Sequence, residues 1–193
     1  MLWKITLRNL FLCVLSAGLL VLAFPKTDFW FLAWFGLIPL MIVLDGKSRL
    51  KAFGLGYFSG LVFFAGTLFW LGHVTIVGII GLVIYLSLYF GLWSVFYVHF
   101  KDKSFLNKLI LIPSAWAAVE YTRMYLFSGF GWVALGYSQS KFITFIQIAD
   151  VVGTLGISFF LVMFNVFFKE FYVWFVFWDM GHYGYVPLSH RRK

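Results

Sequence analysis

From Ala52 to Phe100 the chain carries no Asp, Glu, Lys or Arg. A helix needs about 20 apolar residues to cross roughly 30 Å of hydrocarbon, so this run is too long for one span and comfortable for two. It must turn back on itself. The natural hairpin is Gly72-His73-Val74-Thr75, preceded by Trp70 as an interfacial anchor, which predicts helices over 52–71 and 76–100. Gly56 and Gly60 are spaced for close helix contact, a pattern that supports tight packing without specifying a partner.

Composition extends this reading to the whole chain. Its 193 residues are 63% hydrophobic and 11% charged, against roughly half apolar and a quarter charged in soluble domains. The 26 Phe, 10 Tyr and 9 Trp suit lipid-facing and interfacial positions, where a ring sits half in hydrocarbon and half among headgroups. A net charge of +8 would suit nucleic acid, but the basic residues stand in short clusters between apolar runs and form no continuous basic face, so no nucleic-acid partner is expected. The one cysteine, Cys13, excludes an internal disulfide and a Cys-rich metal site, and its apolar neighbours Phe11, Leu12, Val14 and Leu15 point to packing.

The predicted fold is all-α, a polytopic transmembrane bundle of about six spans over 9–24, 29–44, 52–71, 76–100, 109–127 and 151–168. The first is expected to be a retained helix, because no small-x-small cleavage site follows it and a second apolar run begins at once. The link Pro25-Lys26-Thr27-Asp28 makes the first two spans antiparallel neighbours, and Asp45 to Lys51 ends the second. Lys169-Glu170 ends the sixth. The tail, 171–193, is aromatic and then basic, and its stretch 171–188 is open to reading as a poor seventh span with Asp179 and His182. With the N-terminus cytoplasmic, only Lys26, Arg123 and Lys141 of the 15 basic residues fall outside. A slip of one span would destroy that positive-inside bias.

Candidate chemistry gathers between Pro113 and Gln147. Glu120 and Arg123 lie three residues apart on one helical face near the outer end of the fifth span. Charges at that depth face the bundle or a wet cavity. Two readings are open: a self-neutralising structural ion pair, or a polar floor under an outward site where Arg123 holds a phosphate or carboxylate. Gly129-Phe130-Gly131-Trp132 and Leu135-Gly136-Tyr137-Ser138-Gln139 follow, predicting a shaped interfacial loop or, more simply, an aromatic anchor. His73 and His99 are not spaced as metal ligands. Asp150 is placed to start the sixth helix and Asn165 to bond a neighbour within the bundle. No phosphate-binding Gly loop, Ser-His-Asp set or His-Glu zinc motif is present, so no metal, cofactor or catalytic residue is expected in this chain.

The order of these residues resembles the N-terminal membrane domain of bacterial apolipoprotein N-acyltransferases. The likeness is carried by Pro25, Trp30 and Pro39-Leu40; by Gly54, Gly56, Gly60 and Trp70; and by Pro113, Trp116, Glu120 and Arg123. It continues through Gly129 to Trp132, Leu135 to Gln139, Gln147, Gly153 and Gly156-Ile157-Ser158-Phe159, and covers about residues 23–165. Gly131 stands where the family usually has Pro, and Phe24 where a second Pro is common.

The resemblance implies a place in the bacterial inner membrane and a role in moving an acyl chain from a membrane phospholipid to the N-terminal cysteine of a lipoprotein. It implies that Glu120, Arg123, Gly129, Trp132, Tyr137, Gln139 and Gln147 bind lipid or position the loop. In the family the chemistry belongs to a nitrilase-like domain with a Cys nucleophile, a Glu base and a Lys. The chain stops soon after the sixth span, so the expectation is a truncated or split enzyme whose catalysis needs a separate nitrilase-like partner. A small lipid-handling or transporter-like membrane protein and a non-functional gene remnant are the alternatives.

Overall fold

The computed structural model describes residues 6–126 and 129–182, with side chains for all of these except 173, 174 and 176–182. Lys4, Phe127, Ser128, Arg191, Arg192, Lys193 and the end of a seventh span over 171–188 lie outside the described residues. Every regular element among those described is helical: α1 (Leu7–Ala23), α2 (Ile38–Leu44), α3 (Arg49–Leu68), α4 (Ile76–Phe100), α5 (Phe105–Tyr125), α6 (Ile143–Ile146) and α7 (Ala149–His182). Short 3-10 helices at Trp30–Trp34, Phe69–His73 and Leu135–Gln139 complete the set. The stretches Arg49–His73, Ile76–Phe100 and Ala149–Tyr172 are long and apolar enough to cross a membrane. Leu7–Ala23 is a shorter apolar helix, and Trp30–Leu44 is a shorter apolar stretch made of two helical pieces.

The α3–α4 hairpin makes the largest helix contact, with α1 packed on α3 and α5 packed on both α4 and α7. Leu20, Phe63, Phe64, Phe90, Trp93 and Leu161 lie in the shared core. The outer face of α4 exposes Ile76, Val77, Ile80, Ile84, Leu88 and Leu92. A helix apolar on every side is one whose outer face meets lipid, so the fold is an all-α bundle of the membrane type.

Gly56 and Gly60 both face α4. A Cβ on Gly56 would lie 2.7 Å from the backbone oxygen of Phe90, and one on Gly60 would lie 3.1 Å from Ser87 Cα. Backbone cannot yield as a side-chain tip can. Gly56→Ala is therefore expected to push α3 from α4 and destabilise the bundle by about 1–3 kcal/mol, the usual cost of overpacking, read as a lower unfolding midpoint in detergent.

The second apolar stretch is not the single helix expected over 29–44. It is a 3-10 helix, Trp30–Trp34, followed by the two-turn α2, with Phe35 to Leu37 between them. Pro39 sits in the first turn of α2, where its missing N–H costs nothing, and so it starts a new helix rather than continuing the old one. Gly36 at the break lets Leu20 approach to where a Cβ would lie, 2.6 Å from Leu20 Cδ2. A broken helix frees backbone groups that hydrocarbon cannot satisfy. Here buried side chains take them. Asn165 Oδ1 accepts from the Leu37 N–H at 2.9 Å, and its Nδ2 donates to Ala33 O at 2.9 Å. Ser16 Oγ donates to Gly36 O at 2.6 Å, and Gln139 Nε2 donates to Trp30 O at 3.0 Å.

Lys169-Glu170 does not end the last helix. Both residues are neutralised in place: Lys169 Nζ meets Asp45 Oδ2 at 2.8 Å and Glu170 Oε1 at 3.0 Å, while Lys108 bonds Glu170. Tyr97 donates to the other Asp45 oxygen at 3.0 Å. This network ties α2, α4, α5 and α7 together at one end of the bundle, and with its charges paired α7 runs on to His182. At the opposite end Lys141 pairs with Asp28 at 2.6 Å. A left-handed Gly153, φ 66°, kinks α7 one turn after its start.

Candidate functional site

The end of the bundle that holds Lys26, Trp70 and Asp28 also holds the loop after α5. Glu120 and Arg123, on the last turns of α5, are only 4% and 2% exposed. Their spacing suggests a mutual ion pair, yet Arg123 Nη2 stands 4.0 Å from Glu120 Oε1, at the limit of contact. The nearer partners are loop backbone. Glu120 Oε1 accepts from the Leu135 N–H at 2.7 Å, and Arg123 Nη1 donates to Trp132 O at 2.8 Å. The guanidinium also lies over the Phe64 ring, 5.6 Å from its centroid. The pair thus works as a two-point clamp on residues 132–135, and Arg123 is turned inward rather than toward a surface phosphate.

The loop needs unusual backbone to reach that clamp. Gly129 has φ +67°, and a Cβ there would run into the backbone oxygen of Met124. Gly131, by contrast, has only Met124 Cγ at 3.5 Å from its Cβ position, so a larger residue fits the space. Val133 takes φ 61°, a conformation that costs a β-branched residue of order 1–3 kcal/mol and persists only where surroundings enforce it. The clamp on either side of Val133 is that enforcement.

Trp132, 55% exposed, stacks its ring on Trp70 at 5.7 Å and 22°. Phe130 packs beside it at 5.6 Å. Beyond the clamp, Gly136 lies against α7, where a Cβ would be 2.5 Å from Thr154 O, and its N–H donates to Ser158 Oγ at 2.9 Å. Gln139 is fully buried and joins the loop to the broken second stretch through Trp30 O, with Trp34 Nε1 donating to its Oε1 at 3.0 Å. Trp30 stacks on Phe142 at 4.5 Å.

Two cavities flank the loop. An outer groove of about 520 Å³ runs between the ends of α1 and α3, lined by Lys26, Gly66, Phe69, Trp70, Val133 and Tyr137 among others. Lys26 Nζ sits 4.0 Å over the Phe69 ring at its edge. Beneath the loop is a small chamber of about 20 Å³, with Phe63, Phe64, Trp116, Glu120, Arg123 and Val133 in its wall.

Of the residues singled out in the sequence, Glu120, Arg123, Gly129 and Trp132 come together as one unit. Tyr137 lines the groove, and Gln139 is a structural tie. Gln147 does not join them: it is exposed at the end of α6, its carbonyl accepting from the Asp150 N–H at 3.2 Å. His73 bonds Trp70 O at 2.9 Å and His99 approaches Arg49 at 3.3 Å. No group of His, Cys, Asp and Glu among the described residues could hold a metal ion. The role of Val133 carried no signal in the sequence, whereas Trp116 did, standing four residues before Glu120 and so on its face of the helix.

Residues 16–167 match the family described as the apolipoprotein N-acyltransferase N-terminal domain. The chain is 35% identical over 170 residues to an apolipoprotein N-acyltransferase of Geobacter metallireducens, covering 82% of this chain and 32% of that protein. It is 33% identical over 164 residues to that of Chlorobaculum tepidum, covering 82% and 31%. An apolipoprotein N-acyltransferase 1 of Treponema denticola is 34% identical over 180 residues, covering 85% and 32%. The chain spans about a third of the length of these curated relatives. With a match through α1 to α7 that includes the clamp, the loop and the broken second stretch, the chain belongs to the apolipoprotein N-acyltransferase N-terminal domain family.

Proposed function

We propose that this chain is the lipid-seating membrane domain of an apolipoprotein N-acyltransferase, holding a phospholipid at the outer face of the bacterial inner membrane with its N-terminus cytoplasmic. The acyl chain passes to the amino group of a lipoprotein's N-terminal cysteine, and the covalent chemistry belongs to a nitrilase-like domain outside these 193 residues. The observation that carries the reading is the outer groove. Its walls are apolar and aromatic, its edge carries Lys26, and it opens between α1 and α3 beside the clamped loop. An acyl chain would lie along Gly66 and Phe69, and a phosphate would meet Lys26 at the interface, where Trp70 and Trp132 sit at headgroup depth. Cys13 is buried in α1, far along the helix from the loop, and takes no part.

The deciding assay reconstitutes the purified chain in vesicles with a lipoprotein substrate, with and without the separately expressed nitrilase-like domain of a relative. N-acylation is expected only when both are present. Activity of this chain alone would overturn the division of labour, and lipid transport between leaflets with no partner would favour a transporter instead. Lys26→Ala is expected to weaken binding to vesicles containing phosphatidylglycerol about fivefold at low salt, since one cationic side chain near an anionic surface contributes about 1 kcal/mol.

A further inference from the structure

We propose that the small chamber beneath the loop is a binding site for a single water molecule, held between the Trp116 indole and the second oxygen of Glu120 and exchanging past Val133. This rests on burial and hydrogen-bond geometry and is independent of the lipid reading.

Trp116 and Glu120 are four residues apart on α5, so their side chains lie on one face, and both line the chamber. They are 5% and 4% exposed. Glu120 Oε1 is used by the Leu135 N–H, but Oε2 has no hydrogen-bond partner, nor does Trp116 Nε1; these are the buried side-chain polar atoms so left among the described residues. An indole N–H can only donate and a carboxylate can only accept. Water does both. It accepts from Trp116 and donates to Glu120, removing two desolvation costs with one molecule.

Size selects the occupant. A water needs roughly 10–15 Å³ of such space, and the chamber has about 20 Å³. A phosphate, a headgroup or an acyl chain is excluded. The rest of the wall is largely apolar, including Leu20, Phe63, Phe90 and Leu135, so the molecule is fixed by its few polar neighbours. Among the described residues, Val133 alone lines both this chamber and the outer groove. Its left-handed backbone places the side chain as the partition between them.

The site has a consequence for the loop. A carboxylate fixed at both oxygens keeps Oε1 aimed at Leu135, so the water acts as a positioning partner for the clamp.

The test uses the full chain in detergent micelles with ¹⁵N-labelled tryptophan, and water alone as the probe. Magnetisation transfer from water to indole protons is measured for each tryptophan, with Trp116 identified by its loss in Trp116→Phe. A persistent water contact at Trp116 is expected, with exchange accelerated in Val133→Ala. No contact at Trp116, while the exposed Trp70 shows one, would overturn the site; an unchanged exchange rate in Val133→Ala would overturn the partition. A thermal-stability cycle gives a second reading, since Glu120→Gln retains an acceptor for Leu135. Trp116→Phe and Glu120→Gln should each lower the unfolding midpoint, and the double variant should lower it by less than their sum. Strict additivity would mean that nothing bridges the two side chains.

Discussion

Asn165→Leu is expected to destabilise the bundle by about 4 kcal/mol, the largest effect of any single side-chain replacement outside the clamp. The substitution keeps the branched four-atom skeleton and adds apolar surface, so simple hydrophobic accounting would predict a neutral or favourable change. What decides the sign is the backbone at the break in the second stretch. Asn165 satisfies the Leu37 N–H and the Ala33 carbonyl at once, both at 2.9 Å and fully buried. Leucine leaves both unpaired, and each such group costs about 1–3 kcal/mol. Interhelical side-chain bonds in membrane proteins average only about 0.6 kcal/mol, because the separated helices find other partners. That compensation fails here, since the orphaned groups belong to a broken segment that keeps its conformation as long as the fold persists. Asn165→Asp retains an acceptor for Leu37 but loses the amide donor to Ala33 and puts an ionisable carboxyl with no cation beside it into a fully buried site, so its loss should be at least as large. Unfolding titrations in mixed micelles, followed by far-UV circular dichroism, measure both. A leucine variant within about 1 kcal/mol of the parent would show that the break finds other partners.

The same segment marks where the sequence stopped being legible. The charge-free run from Ala52 to Phe100 announces two helices, and it holds α3 and α4 with a turn at the expected hairpin, because length and the absence of charge are one-dimensional properties. The break at Phe35 to Leu37 and the turn before it depend on three polar residues that stand 20, 128 and 109 positions away from their acceptors and donors. Ser16 and Asn165 look like isolated polar residues in apolar helices and Gln139 like one more polar residue of the loop, and only the packing shows that they converge on one strip of backbone. Pro39 was the available hint. Lys169 and Glu170 misled for the opposite reason: adjacent charges at the end of an apolar run read as a helix terminus, whereas Asp45 and Lys108, distant in sequence, neutralise them.

The site follows the same logic. Spacing placed Glu120 and Arg123 on one face, which is correct, and suggested that each served the other. The loop intervenes, nine and fifteen residues further on. A pattern of i and i+3 charges encodes proximity but not which third group lies nearer, and here the third groups are main-chain atoms, which no sequence pattern distinguishes. The strained Val133 is invisible for a related reason, since the left-handed conformation is imposed by the clamp around it and not requested by its side chain.

Arg123→Met should therefore have consequences well beyond the loss of one ion pair. Methionine fills much of the same volume over Phe64, but the Trp132 carbonyl loses its donor and the Glu120 carboxylate is left buried without its cation. Removing one partner of a buried charge pair costs about 3–5 kcal/mol, and the loop can relieve part of this by letting go. With only the Glu120 anchor left, Val133 is no longer held from both sides at positive φ, so the Trp132 ring should leave Trp70 and tryptophan emission should shift to longer wavelength. Trp70 and Val133 both line the outer groove, so lipid binding should fall by more than tenfold although neither residue was changed. Arg123→Lys keeps the charge but loses the planar fork that reaches Trp132 while staying near Glu120, and an intermediate loss is expected. Pairing Arg123→Met with Glu120→Leu separates the two roles. Removing both charges abolishes the penalty of an unpaired carboxylate, so much of the stability should return. The loop has then lost both of its anchors, so the emission shift and the lipid-binding defect should remain. Recovery of lipid binding along with stability would mean that the pair only stabilises the bundle and that the groove forms without the clamp.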